Sequence, residues 1–332
     1  LDYIGMAHQM LADPYWPTKV KNGNVEDICP CVGCNECLRG GFVGKHYYCA
    51  VNPRCFAEKE YFLPKPDGSR KNILVIGGGP AGMSAAIAAK QRGWNAEIWE
   101  KTDRLGGNLW PAGGPDFKES LLKLITYMKV QCEKLGVVIK YNTEATAENI
   151  KGGKFDKVIL ATGSTPAVPP IPGIENAVPA VDYLTHKTGV GKKVVIIGGG
   201  LAGTEAACDI APKADEVTIV EMLPDILAVA VECLNNDQHL RSMVADRGVK
   251  VAAGAKVVRI TPNSVTYEKD GKTVTLDCDT VLNAAGFRAN GSKLEDTLEA
   301  DYSDVAVVGD AVTPRKILNA VHEGYHAIRI ME

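Results

Sequence analysis

Three absences narrow this chain of 332 residues before any motif is read. No apolar run is long enough to span a bilayer, which excludes a membrane helix and, with it, a membrane partner. No basic stripe breaks a composition whose formal net charge is -3, so nucleic acid is not an expected partner either. The ten cysteines are not distributed as in a secreted disulfide scaffold: six lie before residue 56, while Cys132, Cys208, Cys233 and Cys278 stand singly. That pattern fits a reducing cytoplasm, and the first residues do not read as a secretory leader. The chain opens on Leu1 within an apolar, strand-like run and reads as a piece of something longer. The remainder is an ordinary globular composition, 45% hydrophobic, with room for two or three domains.

What is present begins with Cys31-x2-Cys34-x2-Cys37-x11-Cys49, four thiols within nineteen residues. Three ligands at two-residue spacing let one tight loop wrap a cubane, and a fourth returns from a short excursion. This is the logic of a 4Fe-4S cluster. A structural zinc site usually shows two separated cysteine pairs, a poorer match to three crowded thiols and one apart. Cys29 and Cys55 flank the run and are expected to be spectators. A cluster carries one electron at a time, whereas nucleotide cofactors deliver two. A cluster loop just ahead of a nucleotide-binding fingerprint therefore reads as electron transfer.

Two segments align at an offset of 121 residues: KNILVIGGGPAGMSAAIAAKQRGWNAEIWEK from Lys71 and KKVVIIGGGLAGTEAACDIAPKADEVTIVEM from Lys192. Each runs from an apolar strand through G-x-G-x-x-G to an Ala-rich helix and a second strand ending in an acid. The glycines are Gly77, Gly79, Gly82 and Gly198, Gly200, Gly203; the acids, Glu100 and Glu221, each fall 23 residues after the first glycine. The first glycine permits the tight turn, the second admits a pyrophosphate to the backbone, and the third lets helix and strand pack closely. The helix N-terminus offers free N–H groups to phosphate, and the acid accepts from ribose hydroxyls. A carboxylate at Glu221, followed by Met222 rather than a base, favours NADH over NADPH at the second turn. Neither repeat carries a nearby pair of cysteines, which argues against a disulfide reductase.

Three further segments bear on the cofactors. Arg104-Leu105-Gly106-Gly107-Asn108 follows the first acid, its glycine pair allowing close approach of backbone to a cofactor. Ala161-Thr162-Gly163 ends an apolar strand that starts after Asp156. Near the end, VAVVGDA places Gly309-Asp310 at a strand tip before a helix, where an aspartate can reach ribityl hydroxyls or, more plainly, cap the helix. These features resemble the two-dinucleotide-binding flavoproteins, in which the first fingerprint and the C-terminal GD segment hold FAD and an inserted second fingerprint holds NAD(P).

With the cluster loop in front, the chain resembles a narrower group: the C-terminal half of the NADH:flavin oxidoreductases related to 2-enoate reductase, 2,4-dienoyl-CoA reductase and trimethylamine dehydrogenase. The matching runs are DYIGMAHQMLADPYWP, CVGCNECL, FVGKHYYCAVNP, VIGGGPAGM, RLGGN, VILATGSTP, VIIGGGLAGTE and GDAVTPRKILNAVHEGYHA. The resemblance implies an α/β fold: an iron–sulfur loop followed by two Rossmann-like dinucleotide-binding domains, an FAD domain with an inserted NAD domain. Residues 1–28 are then the remnant of a TIM-barrel C-terminus, with a strand-like start and a helix. Residues 29–60 form the cluster loop, 61–70 a linker, 71–168 with 286–332 the FAD domain, and 169–285 the NAD domain, Gly286 marking the return crossing. The resemblance further implies cofactors FAD, NAD(H) and 4Fe-4S. It implies FMN in an N-terminal barrel, almost all of which is absent here, and assembly as a homo-oligomer. Electrons would pass from NADH to FAD to the cluster to FMN for reduction of an enoate or enoyl-CoA C=C bond. No catalytic residue is then expected in this chain. A stand-alone NADH:acceptor reductase and a structural ADP-binding module are the alternatives. Where His8 stands the family usually carries an arginine for the FMN phosphate, so His8 is expected to be a surface helix residue. His322 and His326 are expected on a solvated helix face.

Overall fold

The computed structural model describes residues 3–42, 44, 46–66, 68–228, 234–298, 302 and 304–331. Cys233, together with Asp2, Val43 and Lys45 of the matching runs, lies outside them. The chain divides into two units. One comprises Leu1–Leu109, Ser120–Thr165 and Ala289–Glu332; the other comprises Trp110–Glu119 and Pro166–Arg288.

The first unit is built on a five-stranded parallel sheet in the order Val305–Val307, Lys157–Leu160, Asn72–Ile76, Asn95–Trp99, Val138–Lys140. Its central strands read as unbroken apolar runs because both faces are covered. Leu74, Val75, Val158, Ile159 and Leu160 are fully buried. At about 1.5–3 kcal/mol for each buried side chain, burial rather than turn chemistry sets where these strands lie. Register aligns Ile76 with both Trp99 and Leu160, and Leu160 with Val307. Gly77, Glu100, Ala161 and the Gly309–Ala311 turn therefore leave the sheet at one edge, the carboxyl end. There the connection reverses side, which is where open α/β sheets bind ligands.

The helix Pro80–Gln91 packs against the C-terminal helix Ile317–Arg329 at close range. A Cβ on Gly324 would lie 2.1 Å from the Ala81 carbonyl oxygen, and Ser84 Oγ donates to the Val321 carbonyl at 2.7 Å.

Ahead of the sheet, short helices His8–Ala12 and Trp16–Lys21 lead into the cysteine loop. Residues 3–7 form no strand. A strand needs a ladder partner for its backbone groups, and none pairs with them among the described residues. Instead the first helix grips the loop through side chains four apart on one face. Gln9 brackets Cys29 O (2.8 Å) and Cys31 N (2.9 Å), and buried Asp13 accepts from Cys29 N (2.9 Å) and Lys19 Nζ (2.6 Å).

The second unit carries its own five-stranded parallel sheet, ordered Val178–Pro179, Thr280–Asn283, Lys193–Ile197, Glu216–Glu221, Lys250–Ala253. A three-stranded antiparallel meander, Lys256–Thr261, Ser264–Lys269 and Lys272–Asp277, completes it. Alternation along the central strand sends Val194 and Ile196 into one core with the helix Leu201–Ile210. Val195 and Ile197 enter another with Val257, Ile260 and Val265 of the meander. Among the described residues no helix is long and apolar enough to cross a membrane.

Candidate functional site

At the first turn Gly77 adopts φ +105°, and a Cβ there would sit 2.3 Å from the Ala161 carbonyl oxygen. A Cβ on Gly82 would sit 2.0 Å from Gly77 O. Both positions admit only glycine, one for turn and approach, the other for helix packing. Gly79 differs: it occupies the N-cap of a twelve-residue helix, has no capping side chain, and a Cβ would meet nothing within 4 Å. The open space lies where the helix presents its free N–H groups. Glu100, buried, accepts from Gly78 N, Thr102 N and Thr102 Oγ1, each at 2.8 Å. Three bonds leave part of a carboxylate's accepting capacity free.

The other predicted segments of this unit gather around that turn. Gly106 N donates to Gly78 O at 2.9 Å, and a Cβ on Gly107, at φ +51°, would lie 3.3 Å from Gly79 Cα. Asn108 Nδ2 donates to Ser164 O (3.2 Å) and Oγ (3.1 Å), and Ser164 Oγ donates to Asp310 Oδ2 at 3.0 Å. Gly163, at φ +67°, faces open space. Thr162 Oγ1 is buried without a hydrogen-bond partner, a loss of about 1–3 kcal/mol that a bound polar group would relieve. Gly309 N donates to Glu323 Oε2 (2.8 Å), and Asp310 Oδ1 accepts from Arg315 N (3.0 Å). The N-cap of the C-terminal helix is Lys316, so Asp310 is not its cap. Arg104 is exposed on the loop.

The second unit repeats the same turn. Gly198 has φ +105°, with a Cβ 2.5 Å from Ala284 O; a Cβ on Gly203 would lie 2.0 Å from Gly198 O; Gly200 caps its helix and faces open space. Glu221 accepts from Gly199 N (2.5 Å) and Leu223 N (2.7 Å), the counterparts of Gly78 and Thr102. Gly286 is held in this unit by Ala167 N (2.9 Å) and is open at φ +100°. In both units the space and donors suit a dinucleotide's pyrophosphate, and the acid suits its ribose.

Cys31, Cys34, Cys37 and Cys49 line one narrow pocket with His8, Leu11, Val32, Asn35, Ala50 and Val51. Gly33 and Asn35, both with positive φ, turn the chain sharply between ligand positions. Burial, with repulsion from neighbouring thiols adding to it, pushes Cys34 up to about 12 and Cys49 to about 11; Cys37 is raised for the same reasons. These thiols stay protonated unless a cationic group offsets the cost of their charge. The donor set is that of a soft, thiolate-bound group. Among the described residues no three Cys, His, Asp or Glu side chains converge to hold a single metal ion. Cys29 is buried, its thiol raised by burial, with Sγ 3.9 Å from Val51 O.

Residues 71–324 match the model of the family described as pyridine nucleotide-disulphide oxidoreductase. The chain belongs to that family. Within it the chain corresponds to the C-terminal part of the enoate reductase group. It is 35% identical over 330 residues to cinnamate reductase of Clostridium sporogenes, covering 99% of this chain and 49% of that one. It is 36% identical over 333 residues to NADH oxidase of Thermoanaerobacter brockii, with 98% and 51% covered. A solved 2-naphthoyl-CoA reductase in complex with 2-naphthoyl-CoA superposes with a TM-score of 0.91 at 33% identity, over 98% of this chain and 50% of that chain. The chain thus spans about half the length of the relatives it matches. Flavin and nicotinamide cofactors are those of this oxidoreductase family.

Three histidines stand differently from expectation. His8 is half-buried and lines the cysteine pocket rather than the outer surface. His322 and His326 are also half-buried. His322 Nε2 lies 2.8 Å from the Cys49 carbonyl oxygen; His326 meets the Tyr61 ring edge-on at 4.6 Å and accepts from Arg329 Nε at 2.9 Å. The cysteine loop returns along this face of the helix and covers it, which helical spacing alone does not reveal. Ser164, which joins Asn108 to Asp310, was missed as a site residue. Its only signal was its place directly after Ala161-Thr162-Gly163.

Proposed function

We propose that this chain is the NADH-accepting, electron-input part of a flavin and iron–sulfur oxidoreductase that reduces an activated C=C bond of the enoate or enoyl-CoA class. The observation that carries this is the repeated bond pattern from glycine turn to acid in both units, in a chain that also gathers four cysteines around one pocket. Gly77, Gly79, Gly82 and Glu100, with Asn108, Thr162, Ser164 and Asp310, would hold FAD. Gly198, Gly200, Gly203, Glu221 and Gly286 would hold NADH. Cys31, Cys34, Cys37 and Cys49 would hold a 4Fe-4S cluster. When bound, the flavin would supply exchange between two-electron and one-electron chemistry and the cluster one-electron capacity, with FMN in an N-terminal barrel as the proposed acceptor. The chain's own residues bind and orient. The open helix N-termini receive phosphates, the acids receive ribose hydroxyls, and Thr162 Oγ1 and Asp310 meet polar groups of the flavin chain. Glu221 disfavours a 2′-phosphate, which selects NADH.

The test is an anaerobic NADH titration of the reconstituted chain, followed by visible absorption and low-temperature EPR. Flavin bleaching near NADH stoichiometry with a reduced-cluster signal is the expected result. Bleaching without that signal moves the reading to a flavin NADH:acceptor reductase. No flavin absorption after incubation with FAD leaves a structural nucleotide module.

A further inference from the structure

The cysteine loop and the Gly309–Ala311 turn are joined by a single helix, Ile317–Arg329, and each joint is polar. Glu36 lies between Cys34 and Cys37 in the chain and is 3% exposed. Its carboxylate pairs with Lys316 Nζ at 2.7 Å and with Arg39 Nη1 at 3.4 Å. A carboxylate buried that deeply is costly unless paired, and Lys316 reaches it from the far end of the chain. Six residues further on, His322 Nε2 meets the Cys49 carbonyl at 2.8 Å. Its neighbour Glu323, turned by about 100° on the helix, accepts from Gly309 N (2.8 Å) and pairs with Arg315 Nη2 (2.6 Å). This helix thus meets the cysteine loop at its N-cap, Lys316, and again at His322, and it holds the turn that carries Asp310 through Glu323.

Resting on the reading of the four cysteines as cluster ligands, we propose that Glu36 and Lys316 are positioning residues. Their charge pair fixes the cysteine loop to the C-terminal helix and sets the reduction potential of the cluster. Reduction adds one negative charge to the cluster. A nearby carboxylate opposes it and a nearby ammonium favours it, with little screening where the carboxylate is buried. The two members of the pair therefore act with opposite sign. A purely structural contact has no such signature, since breaking it from either side disturbs the loop in the same sense.

The experiment is a potentiometric titration of the reconstituted chain with dithionite, reading the reduced-cluster EPR signal, for wild type, Lys316→Met, Lys316→Arg and Glu36→Gln. Lys316→Met is expected to lower the midpoint and Glu36→Gln to raise it. Each shift is about tenfold in the reduced-to-oxidised ratio at fixed potential, ~59 mV for one electron. Lys316→Arg keeps the charge and is expected to match wild type. Iron loss to a chelator is expected to quicken several-fold in Lys316→Met and to return to the wild-type rate in Lys316→Arg. If Glu36→Gln does not fold, the comparison of Lys316→Met with Lys316→Arg carries the sign. Midpoints that do not move, or that move in one direction for both charge-removing variants, overturn the proposal while leaving the ligand assignment intact. A wild-type chain that takes up no cluster overturns both.

Discussion

The two glycine turns are nearly the same object in two settings. Gly77 and Gly198 share φ +105°, a Cβ on Gly82 or Gly203 would lie the same 2.0 Å from the carbonyl oxygen of the first glycine, and Glu100 and Glu221 bind the turn through equivalent backbone N–H groups. The surroundings differ. Glu100 is buried under a folded-back loop, Thr102 adds a hydroxyl to it, and Asn108, Ser164 and Asp310 form a polar chain beside the turn. Glu221 is half-buried, followed by Met222 and Leu223, which are 65% and 41% exposed. The shared part is what any dinucleotide requires. On the proposed function, the unshared part would separate a retained flavin from a nicotinamide that arrives and leaves.

The comparison breaks most severely at the first glycines. Gly77→Val and Gly198→Val each force a side chain into positive φ and onto a carbonyl. The cost is about 3 kcal/mol, near a hundredfold in binding. Gly77→Val is expected to lose bound flavin, and Gly198→Val to keep flavin but lose bleaching by NADH; flavin absorbance per chain and an NADH titration read both. Glu221→Arg exchanges a ribose acceptor for a phosphate partner and should move the NADH-to-NADPH preference by about tenfold to a hundredfold in kcat/KM. Unchanged preference would count against the second turn as the nicotinamide site. Glu100→Arg should lower stability instead, because Glu100 is itself buried and its loss leaves the buried Gly78 N–H without its acceptor. Ser164→Ala has no counterpart in the second unit. It breaks the link between Asn108 and Asp310, and should weaken flavin retention by about fivefold to tenfold while leaving the NADH preference untouched; dialysis followed by flavin fluorescence measures it.

The smallest effect concerns pH. Burial, then the charge of Arg329, lowers His326 from its ordinary 6.5 to about 4. In that window the unfolded chain takes up a proton that the folded chain refuses. This stabilisation is therefore complete above pH 6.5 and is lost as pH falls toward 4. Urea midpoints at pH 7.5 and pH 5 should fall further apart for wild type than for His326→Gln; equal differences would show that this histidine does not titrate in the window.

Much of this was legible in the chain itself. The repeat at an offset of 121 residues carries strand, turn, helix and acid in contiguous segments, so local chemistry suffices to read it. The cysteine spacing is local in the same way, and all four thiols line one pocket. Long-range contacts were not legible. Nothing near Ser164 in sequence announces Asp310, and nothing near Glu36 announces Lys316, because those meetings depend on which strands neighbour each other and in what register. The histidines show the same limit: i, i+4 spacing tells that His322 and His326 share a helix face, but not what covers it. Nor does the linear order show that Trp110–Glu119 groups with the second unit.

By itself, then, the sequence determined the two glycine turns, their acids and the four-thiol loop, since each is a short segment whose glycines, acids or thiols stand at set spacings. Tertiary structure alone decided which of these parts share an edge and what joins them. Parallel pairing brings Gly77, Glu100, Ala161 and Gly309 to one end of a sheet, and a single helix ties that edge to the cysteines through Lys316 and His322. Register and packing over hundreds of residues set those meetings, and no spacing within a segment encodes them.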